Sequence, residues 1–119
     1  MTNILKGIYP PLTTPFIDDE VAPEKLIDNL KKYESKLLAG YVLFGSNGES
    51  VFLTKEEKLL LIKTTREHTK RTIIAGTGME SMKDTIMLTN EAADLGADFA
   101  LIISPSFYKS EMKHHSFLN

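Results

Sequence analysis

Leu43-Phe44-Gly45-Ser46-Asn47-Gly48-Glu49-Ser50 is the stretch whose reading decides the rest of this chain. An apolar run, residues 41–44, enters it, and a helical pattern opening at Thr54 leaves it. A strand that ends in a Gly-polar-polar-Gly turn and feeds a helix is where α/β proteins place their chemistry. The two glycines permit tight or positive-φ backbone and let a ligand approach closely. Ser46 and Asn47 bring a hydroxyl and an amide to the strand end, and backbone N–H groups in such a turn hold a carboxylate or a phosphate. The same spacing also suits a purely structural turn, because Gly-rich turns are common punctuation between elements.

Working outward, the pattern repeats. Residues 7–12 read as a short buried strand, irregular where Pro10 and Pro11 cannot donate to a ladder. Thr13-Thr14-Pro15-Phe16 reads as a loop and Asp18-Asp19-Glu20 as solvated. Pro23, with Glu24 in the first turn, starts a helix. Its apolar positions Leu26, Ile27, Leu30, Tyr33, Leu37 and Leu38 carry it to about residue 38, with Gly40 as its stop. Thr54 and Glu57 form a capping box for a second helix, whose buried face is read as Leu59, Leu60, Ile62 and Thr65 and which ends near Thr69. Residues 72–75 are a third strand with the exit Gly76-Thr77-Gly78. Ser81 and Asp84 open a third helix along Ile86, Met87, Ala93 and Leu95, closed by Gly96. Residues 99–103 are a fourth strand, leading into Ser104-Pro105-Ser106-Phe107-Tyr108.

Strands thus begin near residues 7, 41, 72 and 99, the interval of βα units. They are continuously apolar, as in a parallel sheet covered on both faces. Two architectures satisfy this pattern, an open doubly wound sheet and part of a (β/α)8 barrel. A complete barrel takes about 250 residues, so on the barrel reading 119 residues form an incomplete domain, or one that depends on another chain.

Composition narrows the function. Hydrophobic residues make up 42% and charged residues 25%, with a net charge of −2 and no basic stripe, which argues against a nucleic-acid partner. There is no cysteine, hence neither a disulfide framework nor a thiolate metal site. No apolar run approaches the length of a membrane span, and the first residues lack a signal-peptide core. A soluble protein of the cytoplasm, or a processed matrix protein, is expected. His114 and His115 are adjacent and point to different faces, a poor metal pair. Gly76-Thr77-Gly78 has no third glycine for a dinucleotide loop, and Ser46 directly follows a glycine, unlike a nucleophile elbow. Lys31-Lys32 and Lys55-Glu56-Glu57-Lys58 read as solvated helix faces.

Taken in order, the motifs resemble the dihydrodipicolinate synthase / N-acetylneuraminate lyase family. Gly7 with Thr14-Pro15-Phe16 resembles that family's first strand and its ending. Gly45-Ser46-Asn47-Gly48-Glu49-Ser50 is similar to its glycine-threonine-threonine-glycine-glutamate motif, and Leu53-Thr54-x-x-Glu57 to the helix start that follows. Ala75-Gly76-Thr77-Gly78, Gly96-Ala97-Asp98 and Ser104-Pro105-x-Phe107-Tyr108 resemble the third and fourth units. The resemblance covers the whole chain and implies the four N-terminal βα units of a (β/α)8 TIM barrel, a single domain over residues 1–119 that is incomplete at its C-terminus.

The resemblance also implies a chemistry. In that family a lysine amine attacks the keto carbon of pyruvate or a related 2-oxo acid and water leaves. The iminium loses a proton to become an enamine, which adds to an aldehyde or arises from cleavage of a carbon–carbon bond. The resemblance implies no cofactor and no metal, and a homo-oligomer, dimer or tetramer. Ser46 takes the place of a relay hydroxyl and Asn47 sits beside the substrate carboxylate. Gly45, Ser46, Asn47 and Gly48 form the substrate-binding turn, and Tyr108 matches a tyrosine that moves protons across a dimer interface. The Schiff-base lysine and a second relay tyrosine follow residue 119 in the family's order, so this chain alone is expected to be inactive. Ser46-Asn47 in place of two threonines is similar to the 4-hydroxy-2-oxoglutarate aldolase-like branch, and the resemblance implies an enzyme either of that type or dihydrodipicolinate synthase-like. A non-catalytic carboxylate-binding fragment and an open nucleotide or phosphate binder are the readings from other classes.

Overall fold

A computed structural model of the protein describes residues 7–45 and 53–102. Within them the order is β1 (Pro11–Leu12), β2 (Phe16–Ile17), β3 (Glu20–Val21), α1 (Pro23–Glu34), β4 (Gly40–Leu43), α2 (Lys55–His68), β5 (Thr72–Gly76), α3 (Met82–Asp94) and β6 (Phe99–Leu101). Four strands form one parallel sheet in the order β1-β4-β5-β6. A doubly wound sheet reverses its strand order at a switch point and carries helices on both faces. Here the order runs without reversal, and right-handed crossovers then place every helix on the same face. Accordingly α2 packs against both α1 and α3.

Register assigns the two faces. Leu12 pairs with Leu43 and Leu43 with Ala75, while Tyr41 pairs with Ile73. All five join Leu26 and Leu30 of α1, Leu61 and Ile62 of α2 and Ala92 of α3 in one buried cluster. The opposite face carries Val42, Ile74 and Phe99, which are paired in register and only partly buried. Among the described residues, helices cover only the first of these faces.

The helix starts fall where local chemistry puts them. Pro23 stands at the first position of α1, the Thr54–Glu57 capping box is complete, and the Ser81 side chain accepts from the Asp84 N–H. Several other expectations are corrected. The first strand is confined to Pro11–Leu12, with Ile8 exposed, because the prolines can only accept: the Pro10 carbonyl takes the Val42 N–H and the Ile8 carbonyl takes the Ala39 N–H. Residues 16–21 form a hairpin, β2 with β3, turned by Asp18 and Asp19, both at positive φ (52° and 66°). That is the two-residue turn whose twist matches the strands, and short acidic side chains tolerate it.

Helix α1 stops at Glu34, not near residue 38, and Leu37 is fully exposed. Gly40 instead opens β4, where a Cβ would strike the Thr72 carbonyl of the neighbouring strand. In α2 the buried residues include Lys58, Leu61 and Thr64, while Leu60 is exposed. In α3 the buried face is Thr85, Leu88 and Ala92, and Ile86 and Met87 are exposed.

Two arginines close the N-terminal edge of the sheet. Arg71 donates to the carbonyls of Glu34 (3.0 Å) and Lys36 (2.9 Å), which terminates α1 from outside the helix, and it sits 3.4 Å from the Glu34 carboxylate. The Tyr41 hydroxyl donates to that same carboxylate, which also receives the Thr69 hydroxyl at 2.9 Å. Burial of the Tyr41 phenol, then the Glu34 carboxylate beside it, push its pKa up to about 12. Arg66 donates to the carbonyls of Thr69 (2.9 Å), Arg71 (2.7 Å) and Gly96 (2.9 Å) and to Asp98 (3.1 Å). Asp98 in turn accepts the Ile73 N–H at 2.9 Å. The opposite edge, at the strand C-termini, carries none of these ties and is where the candidate site lies.

Candidate active site

The C-terminal strand ends gather four segments. The end of β4 delivers Phe44 and Gly45, α2 begins at its capping box, β5 exits through Thr77-Gly78-Met79, and β6 ends at Leu101. The Thr77 N–H donates to the Leu101 carbonyl at 3.1 Å, which stitches the β5 exit to β6 just past their last pair. Of the residues expected in the site, Gly45 is at the end of β4, partly buried. Ser46, Asn47, Gly48 and Tyr108 lie outside the described residues.

The backbone around Gly45 is unusual. Phe44 is held at φ 59°, in the left-handed region, although its side chain is 3% exposed and belongs to the core cluster. A left-handed bulky residue is a genuine outlier, and such strain gathers where a fold aims its chain for function. At the start of α2 the capping box takes up the N–H groups of Thr54 and Glu57.

At the exit of β5 lies a hydroxyl ladder. Thr77, 1% exposed, shares a hydrogen bond with Thr89 at 2.7 Å, and the Thr85 hydroxyl accepts the Met79 N–H at 2.9 Å and donates to the Ser81 carbonyl at 3.0 Å. These bonds fix the β5 exit against the first turns of α3. On the other side stands Lys58, which was read as solvated and is instead 3% exposed. Its Nζ lies 3.8 Å from the Met79 sulfur, with no acidic partner among the described residues. Burial holds its amine below the ordinary 10.5. The signal for this was in the spacing: Lys58 is four residues before Ile62 and three before Leu61, on their face. Among the described residues, no group of three His, Cys, Asp or Glu side chains stands ready to hold a metal, and no helix is long and apolar enough to cross a membrane.

A buried ammonium that meets no carboxylate among the described residues weakens the fold. Lys58→Met keeps the stem and is expected to raise stability by about 1 kcal/mol or more near pH 7. The folded-state pKa is depressed, so the unfolded chain binds the extra proton between that value and 10.5. Stability of the parent therefore rises with pH across that window, and the advantage of the variant shrinks there. Urea titrations of both proteins at pH 7, 9 and 10 check this; a destabilised variant at pH 7 sinks it.

Sequential parallel strands with helices on one face, and Gly45 just past the C-terminal end of β4, are the arrangement of the front of a (β/α)8-type domain. Comparison with known proteins makes this specific. Residues 4–117 match the model of the dihydrodipicolinate synthetase family, and the chain belongs to that family. It is 36% identical over 114 residues to a probable mitochondrial 4-hydroxy-2-oxoglutarate aldolase of Emericella nidulans, covering 90% of this chain and 37% of that protein. It is 34% identical over 103 residues to a 4-hydroxy-tetrahydrodipicolinate synthase of Natronomonas pharaonis, covering 85% and 35%. In structure it matches the 4-hydroxy-tetrahydrodipicolinate synthase of Methylacidiphilum fumariolicum, with a TM-score of 0.79 at 33% identity over 85% of this chain and 34% of that one. It also matches a prophage protein of the same family from E. coli, solved in complex with pyruvate, with a TM-score of 0.80 at 27% identity over 88% and 36%. The chain thus spans little more than a third of the curated relatives it matches. Its fold is the N-terminal part of the family's TIM barrel, and the family is one of Schiff-base lyases and synthases.

Proposed function

We propose that this chain is the N-terminal portion of a pyruvate-dependent carbon–carbon lyase or synthase, and that its share of the work is to bind the 2-oxo acid carboxylate. The observation that carries the reading is the family match across residues 4–117. In it, the backbone N–H groups of Ser46 and Asn47 hold the carboxylate, Gly45 and Gly48 give the turn its tightness, and the Ser46 and Tyr108 hydroxyls relay protons. The lysine that forms the iminium belongs to a later strand of the family's barrel. Asn47 in place of a threonine is similar to the 4-hydroxy-2-oxoglutarate aldolase-like branch, while relatives of both kinds match at like identity, so the reading covers either a dihydrodipicolinate synthase-like or a 4-hydroxy-2-oxoglutarate aldolase-like enzyme. A homo-oligomer in the cytoplasm or an organelle matrix completes the reading.

The test is intact mass of the protein expressed from its native gene, before and after pyruvate plus borohydride. Reduction of the iminium leaves a stable secondary amine, heavier by pyruvate less water plus two hydrogens. An adduct on a chain much larger than 13.3 kDa is the expected result. No adduct with pyruvate or any other 2-oxo acid sinks the enzyme reading.

A further inference from the structure

An ammonium has three donors to place, and a thioether sulfur accepts only weakly. At Lys58 these two meet. The residue is 3% exposed, and its Nζ donates to the Met79 sulfur at 3.8 Å. Acidic groups on the two helices are engaged with other donors: Glu57 of α2 accepts the Thr54 N–H, and Glu91 of α3 stands 2.6 Å from the Lys55 amine. Met79 is fixed where it is through its backbone, whose N–H donates to the Thr85 hydroxyl at 2.9 Å. It is half-buried at the exit of β5, so its sulfur is open to a small oxidant while the amine beside it stays screened from water.

We infer that Met79 is a modification site: hydrogen peroxide converts its thioether to the sulfoxide, and the new oxygen accepts a hydrogen bond from the Lys58 ammonium, fastening the first turn of α2 to the exit of β5. In that step the sulfur attacks one peroxide oxygen and the O–O bond breaks. The sulfur keeps that oxygen and gives up two electrons, and the other oxygen leaves as water with both peroxide protons. Sulfoxidation ordinarily weakens a packed site, because a polar group replaces an apolar one. Here the sign is reversed, since the buried ammonium gains the charge-assisted partner that a thioether is not. Met82 and Met87 supply the contrast. They are 73% and 45% exposed, so their sulfoxide oxygens face water and change stability little.

The test uses the protein expressed from its native gene, treated with hydrogen peroxide until peptide mapping shows an added oxygen on Met79, with Tm read before and after. The parent is expected to gain about 2 °C or more. Met79→Leu under the same treatment gains nothing, which sets aside the other methionines. Lys58→Leu keeps an apolar stem and has no donor, so oxidation of Met79 lowers its Tm by about 2 °C or more. Methionine sulfoxide reductase, by removing the oxygen, returns the parent to its first Tm. A parent Tm that stays or falls on oxidation overturns the inference, as does a gain that Met79→Leu shares or that outlasts removal of the oxygen. A Met79 that carries no oxygen when Met82 and Met87 are fully oxidised overturns it too. Should Lys58→Leu not fold, amide hydrogen exchange in the parent decides: slower exchange over residues 55–61 after oxidation supports the tie, and unchanged or faster exchange ends it.

Discussion

Replacing Arg66 by alanine is expected to destabilise the protein by about 3 kcal/mol, since hydrogen bonds to a charged group contribute about 1.5–3 kcal/mol each and water recovers part of the loss. The guanidinium serves four acceptors at once: the carbonyls of Thr69, Arg71 and Gly96 and the Asp98 carboxylate. Two of those carbonyls belong to the stretch leaving α2 and one to the turn leaving α3, so a single side chain holds the exits of two helices to the start of β6. Arg66→Lys is expected to recover less than half, because an ammonium has three donors and no planar fork. Urea denaturation of the parent and both variants checks this. Equal stability of Arg66→Lys and the parent would show that charge alone matters there.

Leu61→Ala is the second large effect, about 3 kcal/mol from lost burial and the cavity left behind. Leu61 is 1% exposed and lies in the middle of α2, the helix that packs on both α1 and α3. Emptying that place loosens both seams and the sheet residues beneath them. Leu60, its neighbour in sequence, is 44% exposed, so Leu60→Ala is expected to change stability by less than about 0.5 kcal/mol. The contrast is read from urea midpoints at constant slope. A cost at Leu60 equal to that at Leu61 would mean that α2 is turned differently in the intact protein.

Those adjacent leucines show what the sequence could and could not tell. Helix starts were legible because their signals are local: Thr54 with Glu57, Ser81 with Asp84, and Pro23 at a first position. The end of α1 was not legible, because the group that satisfies its last carbonyls is Arg71, 37 residues beyond Glu34. Helix faces were read by hydrophobicity and slipped in α3, where the buried stripe includes Thr85, whose hydroxyl is occupied by Met79 and Ser81. The Asp18–Asp19 hairpin left a weaker signal, two turn-forming residues after the apolar pair Phe16-Ile17, blurred by the charge of Glu20 on the returning strand. As for the site, Gly45 stands at the strand end where the motif put it. The left-handed step before it was invisible, since nothing in an aromatic residue announces positive φ. The family order of motifs, more than any one of them, separated a barrel from a doubly wound sheet.

The unreversed strand order has a consequence for how the protein is made. Each new strand pairs only with the one before it: β4 on β1, β5 on β4, β6 on β5. Among the described strands, the earlier neighbour of each has therefore already left the ribosome when that strand emerges; on the barrel reading it is the free edge of β1 that waits for a distant segment. The two arginines keep the same order, Arg71 reaching back to α1 and Arg66 accepting the turn into β6 as it arrives. Translation and assembly run in one direction along this chain, with each unit templating the next.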